Sequence, residues 1–151
     1  MQKTIVSDTS CLILLDNIGE LYLLEKLFGE VYITSIIAKE FGKPFPHWVN
    51  VKDPINITYQ TILKTNIDAG EASAIALAME EKNSLIILDD LKARKVAIGL
   101  GLSITGTLGV LIEAKQAGFL KAIKPVLLKI HETNFHISSE IEKKILNASN
   151  E

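Results

Sequence analysis

Residues 85–88 form a continuously apolar run that is followed at once by two acids, Asp89 and Asp90. A short run without polar alternation is typical of a parallel strand buried on both faces. Residues 4–7 form a second β-prone run, which ends in the same way at Asp8. An uncompensated carboxylate is costly beside a buried strand. The fold of this chain must therefore accommodate acids at the ends of its most buried strands.

Strand patterns alternate with helical patterns along the whole chain. Further strands are predicted at residues 31–33 and 103–105, with a short extra strand at 49–51. Helices are predicted at residues 11–15 after a cap at Thr9 or Ser10, at 20–28, 36–41, from Asp53-Pro54 onward, and at 68–82, 91–98 and 107–117. Helical tail segments follow from about residue 121, at 125–131 and 138–146. This order predicts an α/β fold in three layers, with helices on both faces of a central, mostly parallel sheet. We expect residues 1–151 to form a single domain.

The composition limits the classes of function. Hydrophobic residues make up 48% of the chain and the formal net charge is −2. Proteins that bind many phosphates are usually basic, so contact with nucleic acid should be local and metal-assisted. Cys11 is the only cysteine, which excludes an internal disulfide, and its apolar neighbours predict a buried thiol. The sequence shows no signal-peptide pattern and no apolar run of membrane-spanning length, so we expect a cytoplasmic protein.

Each acid also has a purely structural interpretation. Asp8 and Asp90 precede predicted helices and are suited to cap them. Asp68 and Glu71 have the spacing of a capping box, in which Glu71 would fold back onto Asp68 and lose its catalytic assignment. Glu40 is explained as a solvated helix residue. These interpretations treat one acid at a time, whereas ligands of parallel α/β folds bind at the carboxyl ends of the strands, where several of the acids would lie.

Clustered carboxylates repel one another unless a cation lies among them. Their hard oxygen ligands suit Mg²⁺ or Mn²⁺, and a divalent ion held in this way is a common means of attacking a phosphodiester. Two other phosphate-handling classes fit poorly. A phosphoacceptor domain needs an acidic pair after its first strand, and a haloacid-dehalogenase-type phosphatase needs Asp-x-Asp where this chain has Asp8-Thr9-Ser10.

Five short motifs occur in a fixed order along the chain. They are Val6-Ser7-Asp8-Thr9-Ser10, Ala38-Lys39-Glu40, residues 68–78 beginning with Asp68-Ala69-Gly70-Glu71, residues 87–94 with Asp89-Asp90, and residues 104–109. In this order they resemble the PIN-domain ribonucleases, and most closely the small prokaryotic branch often paired with antitoxins (VapC-like). The resemblance covers about residues 5–120 and implies a three-layer α/β/α PIN-like fold.

The resemblance also implies a function and a site. The implied enzyme hydrolyses RNA phosphodiester bonds with Mg²⁺ or Mn²⁺, and its catalytic acids are Asp8, Glu40, Glu71 and Asp90. These four acids are also the implied metal ligands, together with Asp89, the ambiguous neighbour of Asp90. Either Glu40 or Glu71 would orient or deprotonate the attacking water.

The supporting residues follow from the same comparison. The hydroxyls of Thr9, Ser10 and Thr107 would hold the metal ligands in place. The helix after Asp90 carries Lys92, Arg94 and Lys95, which either contact RNA phosphates or form a solvated face. The resemblance further implies an antitoxin protein as partner and a homodimer, for which the apolar helix at residues 20–28 is a candidate surface.

One departure from the family pattern keeps a second interpretation open. Many PIN proteins carry a further acid near the end of the next strand, where this chain has Thr105-Gly106-Thr107 and so only hydroxyls. The alternative is a weakly active or silent PIN fold that binds RNA or protein.

Overall fold

A sheet of parallel strands forms the centre of the structure, a computed structural model that describes residues 3–151. Within those residues the sheet has five strands in the order β3-β2-β1-β4-β5, and every adjacent pair is parallel. The strands are β1 (Thr4–Ser7), β2 (Val31–Ile33), β3 (Val49–Val51), β4 (Ser84–Ile87) and β5 (Ser103–Thr105). The strand predicted from the apolar run at residues 85–88 therefore lies beside the central strand β1.

Helices connect the strands and flank the sheet, so the predicted α/β fold class is confirmed. They are α1 (Thr9–Asn17), α2 (Tyr22–Phe28), α3 (Ser35–Phe41), α4 (Thr58–Leu63), α5 (Ala69–Glu80), α6 (Leu91–Gly99), α7 (Thr107–Gln116), α8 (Lys124–His131) and α9 (Ser139–Ala148). None of these helices is long and apolar enough to cross a membrane, a statement that covers residues 3–151.

The pairing of β1 with β4 extends over both strands from end to end. Thr4 lies opposite Ser84, and Ser7 lies opposite Ile87. The first residue beyond β1, Asp8, continues the ladder, because its N–H donates to the carbonyl of Ile87 at 3.0 Å. The residues that follow the two strands therefore leave the sheet side by side.

Helix α5 is almost completely buried because its side chains are small. All residues from 72 to 78 are fully buried, and the helix packs against β1, β4 and α3. Two buried hydroxyls join α5 to α3. Ser73 Oγ donates to the carbonyl of Gly70 at 2.7 Å, and Thr34 Oγ1 lies 2.6 Å from Ser73 Oγ. Since Ser73 uses its proton on Gly70, Thr34 is the donor in the second bond.

The helix predicted from Asp53 onward begins later, at Thr58. Asp53 instead accepts hydrogen bonds from the N–H and the hydroxyl of Ser35, at 2.8 and 2.9 Å. The N–H groups of residues 55 and 56 each donate to the carboxylate of Glu80 at 2.9 Å. This prediction was wrong because partners far along the chain take the polar groups that would have opened a helix.

Two further helix starts differ from the prediction. Asp8 rather than Thr9 or Ser10 caps α1, and it does so by accepting a hydrogen bond from the N–H of Cys11 at 2.9 Å. The helix predicted from residue 20 begins at Tyr22. The thiol of Cys11 is fully buried, as predicted.

The tail helices α8 and α9 share their apolar side chains with the core of the sheet. The side chain of Glu151 fastens this tail: it accepts hydrogen bonds from the N–H groups of Ile123 and Lys124, at 2.7 and 3.0 Å, and pairs with Lys115 at 2.9 Å. The bond from Ile123 is the largest of the effects that lower the pKa of Glu151 to about 2.

The close packing of α5 predicts that it tolerates no added volume. Ala76→Leu should lower the free energy of unfolding by about 1–3 kcal/mol, because a larger side chain forces its neighbours out of place. Chemical denaturation measures the effect. Ala148→Leu, at an exposed position in α9, is the control and should change stability by less than about 0.5 kcal/mol. Equal stability of the two variants would contradict the packing described.

Candidate active site

The acids that follow β1 and β4 meet at the carboxyl edge of the sheet. Asp8 follows β1, and Asp89 and Asp90 lie just beyond β4. The backbone N–H of Asp89 donates to Oδ2 of Asp8 at 3.1 Å. Strand pairing thus joins two acids that are far apart in the sequence.

Asp8 is the most buried of these acids, with 2% of its surface exposed. Each carboxylate oxygen accepts one backbone N–H, Oδ1 from Cys11 and Oδ2 from Asp89. The pKa of Asp8 is raised from its ordinary 3.8 to about 7. Burial is the main cause, and the nearby charge of Asp89 is the second. The cap of α1 and the acid of the site are therefore the same carboxylate.

Asp89 is held by the first residue of α7. Its Oδ1 accepts the N–H of Thr107 at 2.8 Å, and its Oδ2 accepts the Thr107 hydroxyl at 2.6 Å. Thr107 is itself fully buried just beyond β5. The segment that has only hydroxyls in the sequence thus holds a carboxylate that comes from the neighbouring strand β4.

Asp90 and Glu71 are close enough to interact through their charges. Asp90 is exposed and caps α6 by accepting the N–H of Ala93 at 3.0 Å. Glu71, in the first turn of α5, is partly buried. Its pKa is raised to about 7, first by burial and then by the charges of Asp68 and Asp90.

Asp68 and Glu71 make one of the two contacts of a capping box. Asp68 Oδ1 accepts the N–H of Glu71 at 2.9 Å and caps α5. The carboxyl of Glu71 lies near the Asp68 backbone, which lowers its pKa against the stronger effects of burial and of the charges of Asp68 and Asp90. The role of Glu71 as a base that activates water stays a prediction.

Glu40 approaches from α3 and rests on α5. The hydroxyl of Thr9 donates to Oε1 of Glu40 at 2.5 Å. The same carboxylate lies over Gly70 so closely that a Cβ at that position would overlap Oε1. The Glu40 carboxylate thus takes the space of a side chain at residue 70, and any larger residue there would displace it.

These residues are called the acidic site below: Asp8, Glu40, Asp68, Glu71, Asp89 and Asp90. None of them forms an ion pair with a lysine, arginine or histidine in the described part of the chain. Burial and then the repulsion between these uncompensated carboxylates raise the pKa values of Asp8 and Glu71.

The donor chemistry of the acidic site fits a hard divalent ion. Among residues 3–151, no group of three or more His, Cys, Asp or Glu side chains is arranged to hold a metal ion. Mg²⁺ does not need three protein ligands, because it keeps several waters and binds through one or two carboxylates. Asp8 has both oxygens on backbone donors and retains further lone pairs for an ion.

The other predicted residues are distributed as follows. Ser10 is exposed and makes no hydrogen bond to the acids in the described residues, whereas Thr9 bonds Glu40 and Thr107 bonds Asp89. Arg94 is partly buried and its Nη1 donates to the carbonyl of Leu88 at 2.7 Å. Lys92 and Lys95 are exposed on α6.

Sequence reasoning missed two glycines that shape the site. Gly70 makes room for Glu40, and a Cβ on Gly106 would lie 2.8 Å from Nη1 of Arg94 and 2.9 Å from Oδ1 of Asp89. Each glycine stands at a helix start, where the sequence alone explains it as a turn residue. Their spatial role depends on side chains from other elements.

A family model described as a PIN domain matches residues 4–151. The chain therefore belongs to the PIN-domain family, whose members are in general nucleases that use divalent metal ions. A search of curated proteins finds no match to the chain.

The raised pKa values predict a pH dependence of stability in the absence of divalent ions. Between about pH 4 and 7 the folded chain holds protons on Asp8 and Glu71 that the unfolded chain has lost, so the free energy of unfolding falls as the pH rises. With EDTA present, denaturation at pH 5 and pH 8 should differ by up to a few kcal/mol, since one pKa unit is worth about 1.4 kcal/mol.

Asp8→Asn is the matched control for this dependence, because it removes the titrating group and keeps its size. The variant should show a smaller loss of stability between pH 5 and pH 8 than the unmodified chain. An equal or larger loss would show that Asp8 does not carry the effect.

Proposed function

We propose that the chain is an endoribonuclease that hydrolyses RNA phosphodiester bonds with Mg²⁺ or Mn²⁺. The acidic site is the observation that carries this proposal, because carboxylates from several elements meet there without a cationic partner among the described residues. Membership of the PIN-domain family supports nuclease chemistry in general. RNA as the substrate follows from the resemblance to PIN ribonucleases.

Asp8, Asp89 and Asp90 are the residues that would hold the ion. When bound, the ion supplies an acidified water and neutralises charge that builds on the scissile phosphate. Both reasons for a raised pKa at Asp8, burial and the charge of Asp89, are offset by a neighbouring cation. The ion would thereby keep Asp8 ionised at neutral pH.

Glu40 is the residue that we assign to the attacking water. Thr9 fixes Oε1 of Glu40 at 2.5 Å, and the contact with Gly70 fixes the position of the carboxylate. Oε2 is then the oxygen that accepts a proton from the water. Glu71, in the first turn of α5, adds to the local charge beside Asp90.

Thr107 positions Asp89 through two hydrogen bonds, and this arrangement compensates for the missing acid at residues 105–107. A carboxylate held by both the N–H and the hydroxyl of one residue has a fixed orientation. We therefore propose that Asp89 takes the role of the late acid that other PIN proteins carry after the next strand.

Contacts with RNA phosphates are proposed for α6. Lys92 and Lys95 are exposed in the first and second turns of α6, which Asp90 caps. Arg94 keeps guanidinium donors beyond the one bonded to Leu88, since the group has five. These few cations agree with a net charge of −2, because such a protein makes only local phosphate contacts.

The partners remain proposals that follow from the VapC-like resemblance: an antitoxin protein, a homodimer and a toxin role in the cytoplasm. Helix α2 offers little to a dimer interface. Leu23 and Leu24 are fully buried in the core, and only Tyr22, which is 44% exposed, presents a large face to solvent.

A second candidate function is a silent PIN fold that binds RNA or protein without cutting it. It is favoured because no group of three or more His, Cys, Asp or Glu side chains among residues 3–151 is arranged to hold a metal ion. If the purified chain cleaves no RNA with Mg²⁺ or Mn²⁺ and calorimetry detects binding of neither ion, the nuclease proposal is overturned and the binding module stands.

Asp8→Asn and Asp90→Asn should each reduce RNA cleavage by about a hundredfold or more, because each removes a charge that would face the ion. Cleavage of a fluorescent single-stranded RNA measures the loss. Calorimetry with Mn²⁺ should show weaker binding by the same variants. The control Glu132→Gln, at an exposed position after α8, should retain full activity. A comparable loss of activity in this control would mean that removing any negative charge from the protein reduces cleavage.

Gly70→Ala should reduce cleavage by about ten- to a hundredfold without loss of stability. The new methyl group displaces the Glu40 carboxylate, while alanine is favoured over glycine inside helices. Gly99→Ala is the matched control, because nothing lies within 4 Å of its added Cβ. Activity that survives Gly70→Ala unchanged would remove Glu40 from the mechanism.

A further inference from the structure

A cavity of about 410 Å³ opens beside the acidic site. At one end it is lined by Asp89 and Arg94, two residues that belong to the site or touch it. The rest of the wall comes from the start of α6 and from the tail, with Leu91, Phe135, His136 and Ile141. The cavity therefore joins polar groups of the site to an apolar surface that the tail provides.

The apolar wall of this cavity is exposed to solvent directly beside the acidic site. Leu91 follows Asp90 directly and is 74% exposed. Ile141 on α9 is also exposed, and the exposed His136 and the partly buried Phe135 line the same space. Aromatic and aliphatic faces at the edge of a charged site are the surface on which nucleobases stack.

We propose that this cavity binds the base of an RNA nucleotide next to the scissile phosphate. The proposal rests on the proposed function and adds a subsite to it. The volume lies in the range of sites that enclose small ligands, roughly 300–1,000 Å³. Arg94 stands where the phosphate of that nucleotide would meet the acidic site, and its spare donors suit a phosphate oxygen.

A second cavity supports the binding of a single RNA strand. It measures about 310 Å³ and is lined by Phe135 together with Ser10, Asn17 and Thr133. Phe135 thus lines two cavities, one along α1 and the other beside the start of α6. Consecutive nucleotides of a single strand would place bases on either side of such a ring.

The test uses the purified full chain with MgCl₂ and adenosine 5′-monophosphate as the probe, followed by ¹H–¹⁵N NMR. Backbone signals of residues 91–94, 108, 135–137 and 141 should shift in a saturable manner. Ribose 5-phosphate, which lacks the base, should bind at least tenfold more weakly. Signals that move elsewhere, or equal binding of ribose 5-phosphate, would overturn the subsite.

Two variants and two controls sharpen the test. Leu91→Ala and Phe135→Ala should weaken binding of the probe by about five- to a hundredfold, the range for loss of one stacking contact. Leu128→Ala, which is 62% exposed on α8, and Phe119→Ala, beyond the far end of α7, should bind as the unmodified chain does. Leu91 is a surface residue, so its variant tests the subsite even if Phe135→Ala proves unstable.

Failure of the subsite and failure of the nuclease are distinguishable. RNA cleavage with no saturable binding of the probe would overturn the subsite and leave the nuclease in place. Probe binding at the cavity without any RNA cleavage would support the subsite and overturn the nuclease. Unchanged probe binding in both Leu91→Ala and Phe135→Ala would also overturn the subsite.

Discussion

The parallel pairing of β1 with β4 is the constraint on which the site depends. The two strands match residue for residue, and Asp8 extends the ladder by one more hydrogen bond to Ile87. Any acid that follows either strand must then lie near an acid that follows the other. The stability gained by burying two apolar strands is what holds like charges together, since nothing in the described residues neutralises them.

Helix capping and the acidic site use the same side chains. Asp8, Asp68 and Asp90 each cap a helix and each accept one backbone N–H from its first turn. The N-terminal end of a helix carries a partial positive charge, which favours a carboxylate there. Three helix starts thus offset part of the repulsion, and this explains how the chain folds around its acids before any ion binds. The capping and the catalytic interpretations of one acid are therefore compatible.

The sequence predicted the fold class and the acids but little of how they meet. Periodicity and apolar runs reveal strands and helices because those signals are local, and β1, β4 and α5 were found in this way. The late start of α4 was missed because Glu80 and Ser35, both distant in the sequence, take the polar groups that precede it. The same limit applies to the bond from Thr107 to Asp89 and to the space that Glu40 takes above Gly70. No local sequence pattern shows which side chain from another helix or strand will pack against a glycine.

The hydrogen bonds from Thr107 to Asp89 give the hydroxyls at residues 105–107 a different functional interpretation. In the sequence, this segment has no acid, and that absence favours reduced activity. In the structure, β5 lies directly beside β4, so a residue just beyond β5 is within reach of the first acid beyond β4. A threonine at the start of α7 has one N–H and one hydroxyl to offer, and Asp89 has two oxygens to receive them. A carboxylate at residue 107 would instead face Asp89 as a second like charge. A neutral donor there holds Asp89 in place without adding a like charge.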